Sequence, residues 1–281
     1  MRTGLGHLLQ KARSVMVMTL PALLSPSVPH SSALPILCAS VATAATMSGS
    51  TVIVPGSVAQ QKRALRSEIR KALKALPPTQ RAQEDTAIQN IVLDSSWFKS
   101  TRGLCAYISC ESLHEVDTSR IVAEVLRDAN DREEKKRLYV PRVEDKNSHM
   151  RMLKISSIKD LIANSMNILE PSPIDADGSQ REDAMLATHP VDIFLLPGVA
   201  FDRHGQRLGR GGGYYDVFLK KYQELAMERR WKQPLLAVAL AYSVQILDDD
   251  VIPVNHHDVL VDALVSASGV IPISTAALDR M

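Results

Sequence analysis

Four glycines fall within five positions of this chain, Gly209, Gly211, Gly212 and Gly213, and no other stretch speaks so directly of chemistry. Without Cβ atoms the backbone there can turn its N–H groups inward. A helix expected to start near Tyr214 would aim its positive end at the same place, and that combination holds phosphate. Arg207 and Arg210 bracket the cluster and offer charged, forked donors to phosphoryl oxygens. The spacing is neither that of a P-loop, since no Gly-Lys-Ser/Thr follows, nor that of a dinucleotide fingerprint. Taken alone, a run of glycines is equally compatible with a flexible turn. A second basic group precedes it by far in sequence: Lys62 and Arg66 are spaced i, i+4 and so share one face of a helix, with Arg63 beside them. The competing reading is a solvated stripe continued by Arg70 and Lys74. Asp216, close behind the glycines, suits a helix N-terminus on electrostatic grounds alone. His256 and His257 have no cysteine or second histidine cluster to complete a zinc site.

The elements that would carry these residues alternate. Leu65, Ile69, Ala72, Leu73 and Leu76 recur at helical spacing, with a basic opposite face, until Pro77-Pro78 stops the helix. Thr79 is expected to cap a second helix reaching about Leu93. Leu104 to Ser109 reads as a buried strand, and Asp117 or Thr118 as the cap of a helix running through Leu126. Arg137 to Val140 forms a short strand closed by Pro141, and Val191 to Leu196 another closed by Pro197-Gly198. Tyr214 to Ala226 has helical periodicity, and Leu235 to Leu240 is the continuous apolar run of a strand covered on both faces. Ile168 to His189, rich in Pro, Asp, Ser and Gly, reads as a surface loop. The alternation predicts an α/β fold, a three-layer, Rossmann-like sandwich on a mainly parallel sheet, in a single domain.

Composition bounds the function. Apolar residues make up 45% of the 281 positions and charged residues 23%, the profile of a globular chain with a sizeable core. A formal net charge of +2 argues against a protein that coats nucleic acid or an anionic membrane. Three cysteines, Cys38, Cys105 and Cys110, make no paired framework, so a reducing compartment is expected. No acid occurs before Glu68, although Arg2, Lys11, Arg13, Lys62, Arg63 and Arg66 are present. Serine, alanine and proline crowd Ser25 to Ser57. Acid-poor, Ser-rich, basic sequence is what organelle import reads, so residues 1–55 are expected to be a disordered transit peptide, mitochondrial in preference to chloroplast, and 56–281 the catalytic domain. A secretory signal and an unaddressed tail are the alternatives. The apolar run Val15 to Leu24 is too short to span a bilayer.

GRGGGYYD, preceded by LPGVAFDRHGQRLG, resembles the signature of the 5-formyltetrahydrofolate cyclo-ligase family, also called methenyltetrahydrofolate synthetases. KRALRSEIR resembles that family's N-terminal basic helix, EVDT (Glu115 to Thr118) its folate-contacting turn, VPRVEDKNSHMRMLKI its central strand pair, and PVNHHDVLVDALV its closing motif. The likeness runs from about Gln60 to Val265. It implies an enzyme that uses ATP and Mg2+ to phosphorylate the formyl oxygen of 5-formyltetrahydrofolate. N10 then attacks the activated carbon and phosphate leaves, giving 5,10-methenyltetrahydrofolate. Such chemistry asks the protein mainly for position and charge screening, not for a side-chain nucleophile.

The resemblance further implies roles. Lys62, Arg63, Arg66, Arg207 and the segment Gly209 to Tyr215 would bind the nucleotide. Glu115, Asp117, Arg210, Gly211, Gly212, Gly213 and Tyr214 would bind the folate, with Arg210 and Tyr214 at the reacting centre, and Asp216 and Asp258 would carry the metal. Asp117 has a second reading as a helix cap, and of Tyr214 and Tyr215 one is expected at the substrate and the other in the core. Where several relatives carry a tryptophan this chain has Met166, whose thioether could still cover a pterin face. Arg142 is a candidate for the acidic folate tail or an ordinary surface arginine. The expected partner is the folate alone, with no nucleic acid or membrane, on a monomer. Two other classes fit the same scaffold: a folate binder without turnover, and a sugar-phosphate isomerase or CoA-transferase-like enzyme.

Overall fold

Side-chain parity along the strands divides the core in two. Leu104, Ile193, Leu195, Leu236 and Val238 are buried on one face of the central sheet, whereas Cys105, Phe194, Leu196, Ala237 and Ala239 are buried on the other. Residues of alternating parity point to opposite faces, so a sheet apolar on both must be covered on both. The computed structural model describes residues 56–131, 136–231 and 236–281. The expected transit peptide, residues 1–55, lies outside them.

Seven strands make the sheet: β1 (Gly103–Ala106), β2 (Arg137–Val143), β3 (Met150–Ile155), β6 (Ile193–Leu196), β9 (Leu236–Leu240), β10 (Ala263–Ser266) and β11 (Gly269–Pro272). Their order is β11-β10-β9-β6-β1-β2-β3. The five inner strands are parallel, and β3 and β11 close the edges antiparallel. Helices α1 (Val58–Ala75), α2 (Pro78–Asp94) and α4 (Ser119–Asp131) cover one face through Ile69, Leu73, Ile88, Val92, Ile121 and Val125. The short α3 (Ser96–Lys99) follows α2 and α6 (Thr275–Arg280) ends the chain. Helix α5 (Tyr214–Glu228) covers the other face, placing Phe218 and Tyr222 against Phe194 at ring-centroid distances of 5.9 and 5.0 Å. This is the three-layer α/β sandwich expected from the alternation.

Among the parallel strands the order is 2-1-3-4-5, with β1 and β6 diverging from the point where the winding reverses. In open α/β sheets that crevice, outside the carboxyl ends of the strands, is where ligands bind.

Local expectations needed several corrections. Pro78 opens α2 with Pro77 before it, and Thr79 is not its cap; proline at the first helical position gives up an N–H that would be unpaired anyway. Pro141 does not close β2, which runs on to Val143. Pairing with β1 ends at Tyr139, so beyond it one side of β2 is an edge where a missing N–H costs nothing. The Ile168 to His189 stretch is not a plain loop. It supplies β5 (Leu169–Pro171), which pairs with β4 (Leu161–Ala163), and it then bonds along β3, with Ala184 N–H donating to Met152 at 2.9 Å. Its polar composition conceals a buried tie, because Arg181 reaches both Asp160 and Asp175 at 3.1 Å.

Candidate active site

The glycine loop is reached through a small hairpin, β7 (Ala200–Phe201) and β8 (Arg207–Leu208), that follows β6. Gly213 takes φ +69° at the N-cap of α5, and Gly211 takes φ +112°. Both angles belong to the left-handed region that glycine alone enters without steric cost. Among the described residues no side chain caps α5. Among the described residues, the backbone N–H groups from Gly211 through Asp216 meet no acceptor, leaving a row of donors at the positive end of a 15-residue helix. That is the electrostatic form of an anion site.

The loop's carbonyls, by contrast, are claimed by other elements. Arg66 Nε donates to Gly209 O at 2.7 Å and Arg70 Nη2 to Arg210 O at 3.4 Å, so α1 is docked on the loop by its basic residues. Lys62, Arg66, Ile69 and Leu73 lie on one stripe of α1 at i, i+4, i+7 and i+11. The cations therefore continue the apolar seam and do not occupy an opposite face as expected. Lys62 is buried and pairs with Asp258. Burial and the neighbouring Arg70 lower the Arg66 pKa, with Asp258 opposing them. Arg63, about 100° further round the helix, is exposed and is not brought into this cluster. A Ser57 and Gln60 capping box fixes the start of α1.

Arg207 is 5% exposed and lies under the loop, donating to Asp216 Oδ1 at 2.9 Å and to Pro197 O at 3.3 Å. Asp216 Oδ1 also accepts from Val259 N–H at 3.2 Å, which brings the Asp258 segment alongside. Each of these two carboxylates keeps one oxygen, Asp216 Oδ2 and Asp258 Oδ1, with no hydrogen bond among the described residues. No group of three or more metal-type side chains occurs among the described residues. Two carboxylates that each retain a free oxygen beside an anion site nevertheless fit magnesium, which keeps most of its waters and takes few protein ligands.

Next to the loop, at the crevice between β1 and β6, opens a cavity of about 280 Å³. Tyr107, Pro197 and Gly198 form its floor at the strand ends, and Glu115, Arg210 and Tyr214 its polar side. Val143, Met150, Met166, Ile168 and Leu169 form an apolar wall. Glu115 is held by Arg210 Nε at 3.2 Å and by Cys110 N–H at 3.2 Å, yet burial raises its pKa overall. Both tyrosines border the cavity. Tyr214 donates its hydroxyl to Asp145 O at 2.9 Å, while Tyr215 packs into the core beneath Arg207, where burial pushes its phenol pKa up. Tyr215 is the core member of the pair.

Asp117 is not brought to the cavity. Its carboxylate accepts from Ser119 N–H at 3.0 Å, Ser119 Oγ at 2.7 Å, Ser109 Oγ at 3.0 Å and Gln89 Nε2 at 3.2 Å, which is the occupation of a helix-start residue. Arg142 donates to Pro171 O at 3.0 Å and pairs with Glu144 at 3.5 Å. Sequence reasoning missed Val143, Met150, Ile168 and Leu169 of the apolar wall, and Glu170, which also lines the cavity. Their only signal, the winding order that brings β2 to the crevice, is tertiary.

Fold and site together define a doubly wound α/β protein with a glycine loop of anion-site form and an adjoining apolar pocket at its switch point. The chain belongs to the 5-formyltetrahydrofolate cyclo-ligase family, whose sequence profile matches residues 58–267. It is 60% identical over 225 residues to 5-formyltetrahydrofolate cyclo-ligase, mitochondrial, of Arabidopsis thaliana, covering 80% of each chain. It is 31% identical over 209 residues to the Mus musculus 5-formyltetrahydrofolate cyclo-ligase, covering 73% of this chain and 93% of that one. Among solved structures, the 5,10-methenyltetrahydrofolate synthetase of Aquifex aeolicus superposes with a TM-score of 0.57 at 29% identity, over 75% of this chain and 92% of the other. These likenesses favour the cyclo-ligase reading over the isomerase and transferase alternatives.

Proposed function

We propose that this chain closes 5-formyltetrahydrofolate to 5,10-methenyltetrahydrofolate at the expense of ATP, with the triphosphate on the glycine loop and the pterin in the adjoining cavity. The observation that carries this reading is the row of N–H groups from Gly211 through Asp216 that no acceptor among the described residues claims, ending at a pocket with one apolar wall and the carboxylates of Glu115 and Glu170. Phosphate is recognised by the first and a flat heterocycle with N–H donors by the second.

Lys62 and Arg66 neutralise the phosphate tail, and Arg210, anchored on Glu115, faces the γ-phosphoryl group. Glu115 accepts hydrogen bonds from the pterin, and Met166 covers its face. The formyl oxygen attacks the γ-phosphorus and ADP leaves; N10 then adds to the activated carbon, and inorganic phosphate departs with the proton that N10 gives up. Magnesium, held by Asp216 and Asp258, would supply charge neutralisation between phosphoryl oxygens. The protein's contribution is in-line placement and preorganised donors. Purified protein should form the absorbing methenyl product only with both ATP and folate present; folate affinity without ATP-dependent turnover would reject the reading.

The acid-free segment 1–55 is proposed as a mitochondrial address, which the name of the Arabidopsis relative supports. A fluorescent fusion of that segment entering chloroplasts or the secretory route would refute it.

A further inference from the structure

The reaction does not account for a contact made by the tip of the β2–β3 hairpin. Ser148 Oγ donates to Gly212 O at 2.5 Å, and a second tether joins the same tip to the loop, Tyr214 OH to Asp145 O at 2.9 Å. The tip is itself tightly built. Asp145 accepts from Asn147 N–H at 2.7 Å and from His149 N–H at 3.3 Å through one oxygen, and its other oxygen meets His149 Nδ1 at 2.6 Å. Glu144 N–H closes the turn on His149 O at 3.0 Å. Within it Ser148 stands at φ +64°, a conformation that costs energy for most residues with a Cβ, Asn and Asp being the partial exceptions. The turn thus holds an unfavourable backbone that delivers one hydroxyl to one glycine carbonyl.

We infer that Ser148 is a positioning residue for the nucleotide, orienting the Gly212–Gly213 peptide so that the Gly213 N–H faces the phosphate. The peptide unit is planar and trans, so fixing the direction of Gly212 C=O fixes the opposite direction for Gly213 N–H. Gly213 has no Cβ and φ +69°, and without an external hold this unit would rotate freely. Arg66 and Arg70 perform the equivalent service for the carbonyls of Gly209 and Arg210. Three holds, on Gly209, Arg210 and Gly212, therefore fix the direction of the loop's oxygens and with it that of the nitrogens that follow them. Only the one from Ser148 comes from the hairpin whose Val143 and Met150 line the folate cavity, so this contact joins the two halves of the site.

The inference rests on the nucleotide occupying the glycine loop. Steady-state kinetics of the full chain, varying ATP and folate separately, test it. Ser148→Ala should raise the KM for ATP about two- to tenfold, the range of one neutral hydrogen bond, with the folate KM and melting temperature unchanged. Ser148→Asn tolerates the positive φ and offers an N–H donor, so it should restore the ATP KM; Ser148→Gly, strain-free but without a donor, should behave as Ala does. An unchanged ATP KM in Ser148→Ala, or equal rises for both substrates with a lowered melting temperature, overturns the positioning role. Arg66→Ala run in parallel separates the two levels. If it raises the ATP KM while Ser148→Ala does not, the Ser148 role alone falls; if neither does, the loop is not the phosphate site and both readings fall.

Discussion

Arg210 Nε lies 3.2 Å from Glu115 Oε1, and this pair ties the glycine loop to the Glu115 turn across the mouth of the cavity. Burial raises the Glu115 carboxyl pKa, and the Arg210 charge only partly opposes it. Folded protein therefore binds the Glu115 proton more readily than unfolded chain does. The stability this gives is fully present below the ordinary carboxylate range, about pH 4.3, and is lost as pH rises through the raised folded value. Glu115→Gln should accordingly melt with the parent in acid and above it at neutral pH. Its turnover should nevertheless fall, because the anion that holds Arg210 is gone. In the parent, kcat/KM should decline in acid at a pH above that range; a thermal melt series and a pH–rate profile check both halves.

Arg66→Ala removes a charge and the hold on Gly209 O together. Charge-assisted hydrogen bonds contribute about 1.5–3 kcal/mol, so the KM for ATP should rise about ten- to hundredfold, with the folate KM nearly constant. Arg63→Ala, on the exposed side of the same helix, should change neither constant.

The two glycines nearest α5 should fail in different ways. At Gly213 an added Cβ would touch only Ser148 Oγ, at 3.4 Å, so Gly213→Ala carries mainly the backbone cost of positive φ, about 1–2 kcal/mol. For a domain of this size that lowers Tm by about 2–8 °C. At Gly212 the added atom would lie 2.4 Å from the Tyr214 ring, so Gly212→Ala should displace Tyr214 from Asp145 and raise the KM of both substrates.

Asp117→Ala separates capping from substrate contact. Loss of a helix-start carboxylate costs about 0.5–2 kcal/mol, and calorimetry should show that loss with an unaltered folate KM. A raised folate KM at unchanged stability would instead put Asp117 at the substrate.

Much of this was legible beforehand because it is local. Glycine spacing, the i, i+4 cations and strand-helix alternation each declare themselves within a few residues, and α5, β6 and β9 stand close to where periodicity put them. What was not legible depends on winding. The stripe of α1 could be read as apolar on one face and basic on the other, yet Lys62 and Arg66 extend the buried seam because their partners, Asp258 and Gly209, are 196 and 143 residues further on. Pro141 looked terminal because nothing in the sequence says that β1 stops at Ala106. Met166 and Leu169 gave no periodic signal, since their hairpin packs over a crevice and not into a layer.

The central claim, that the glycine loop's N–H groups receive the nucleotide phosphates, is tested most directly by following the backbone amide resonances of isotope-labelled protein during a titration with Mg-ATP. The Gly211, Gly212 and Gly213 amides should shift downfield together and saturate along one binding curve. Saturable binding that leaves those three amides in place while others move would contradict the account.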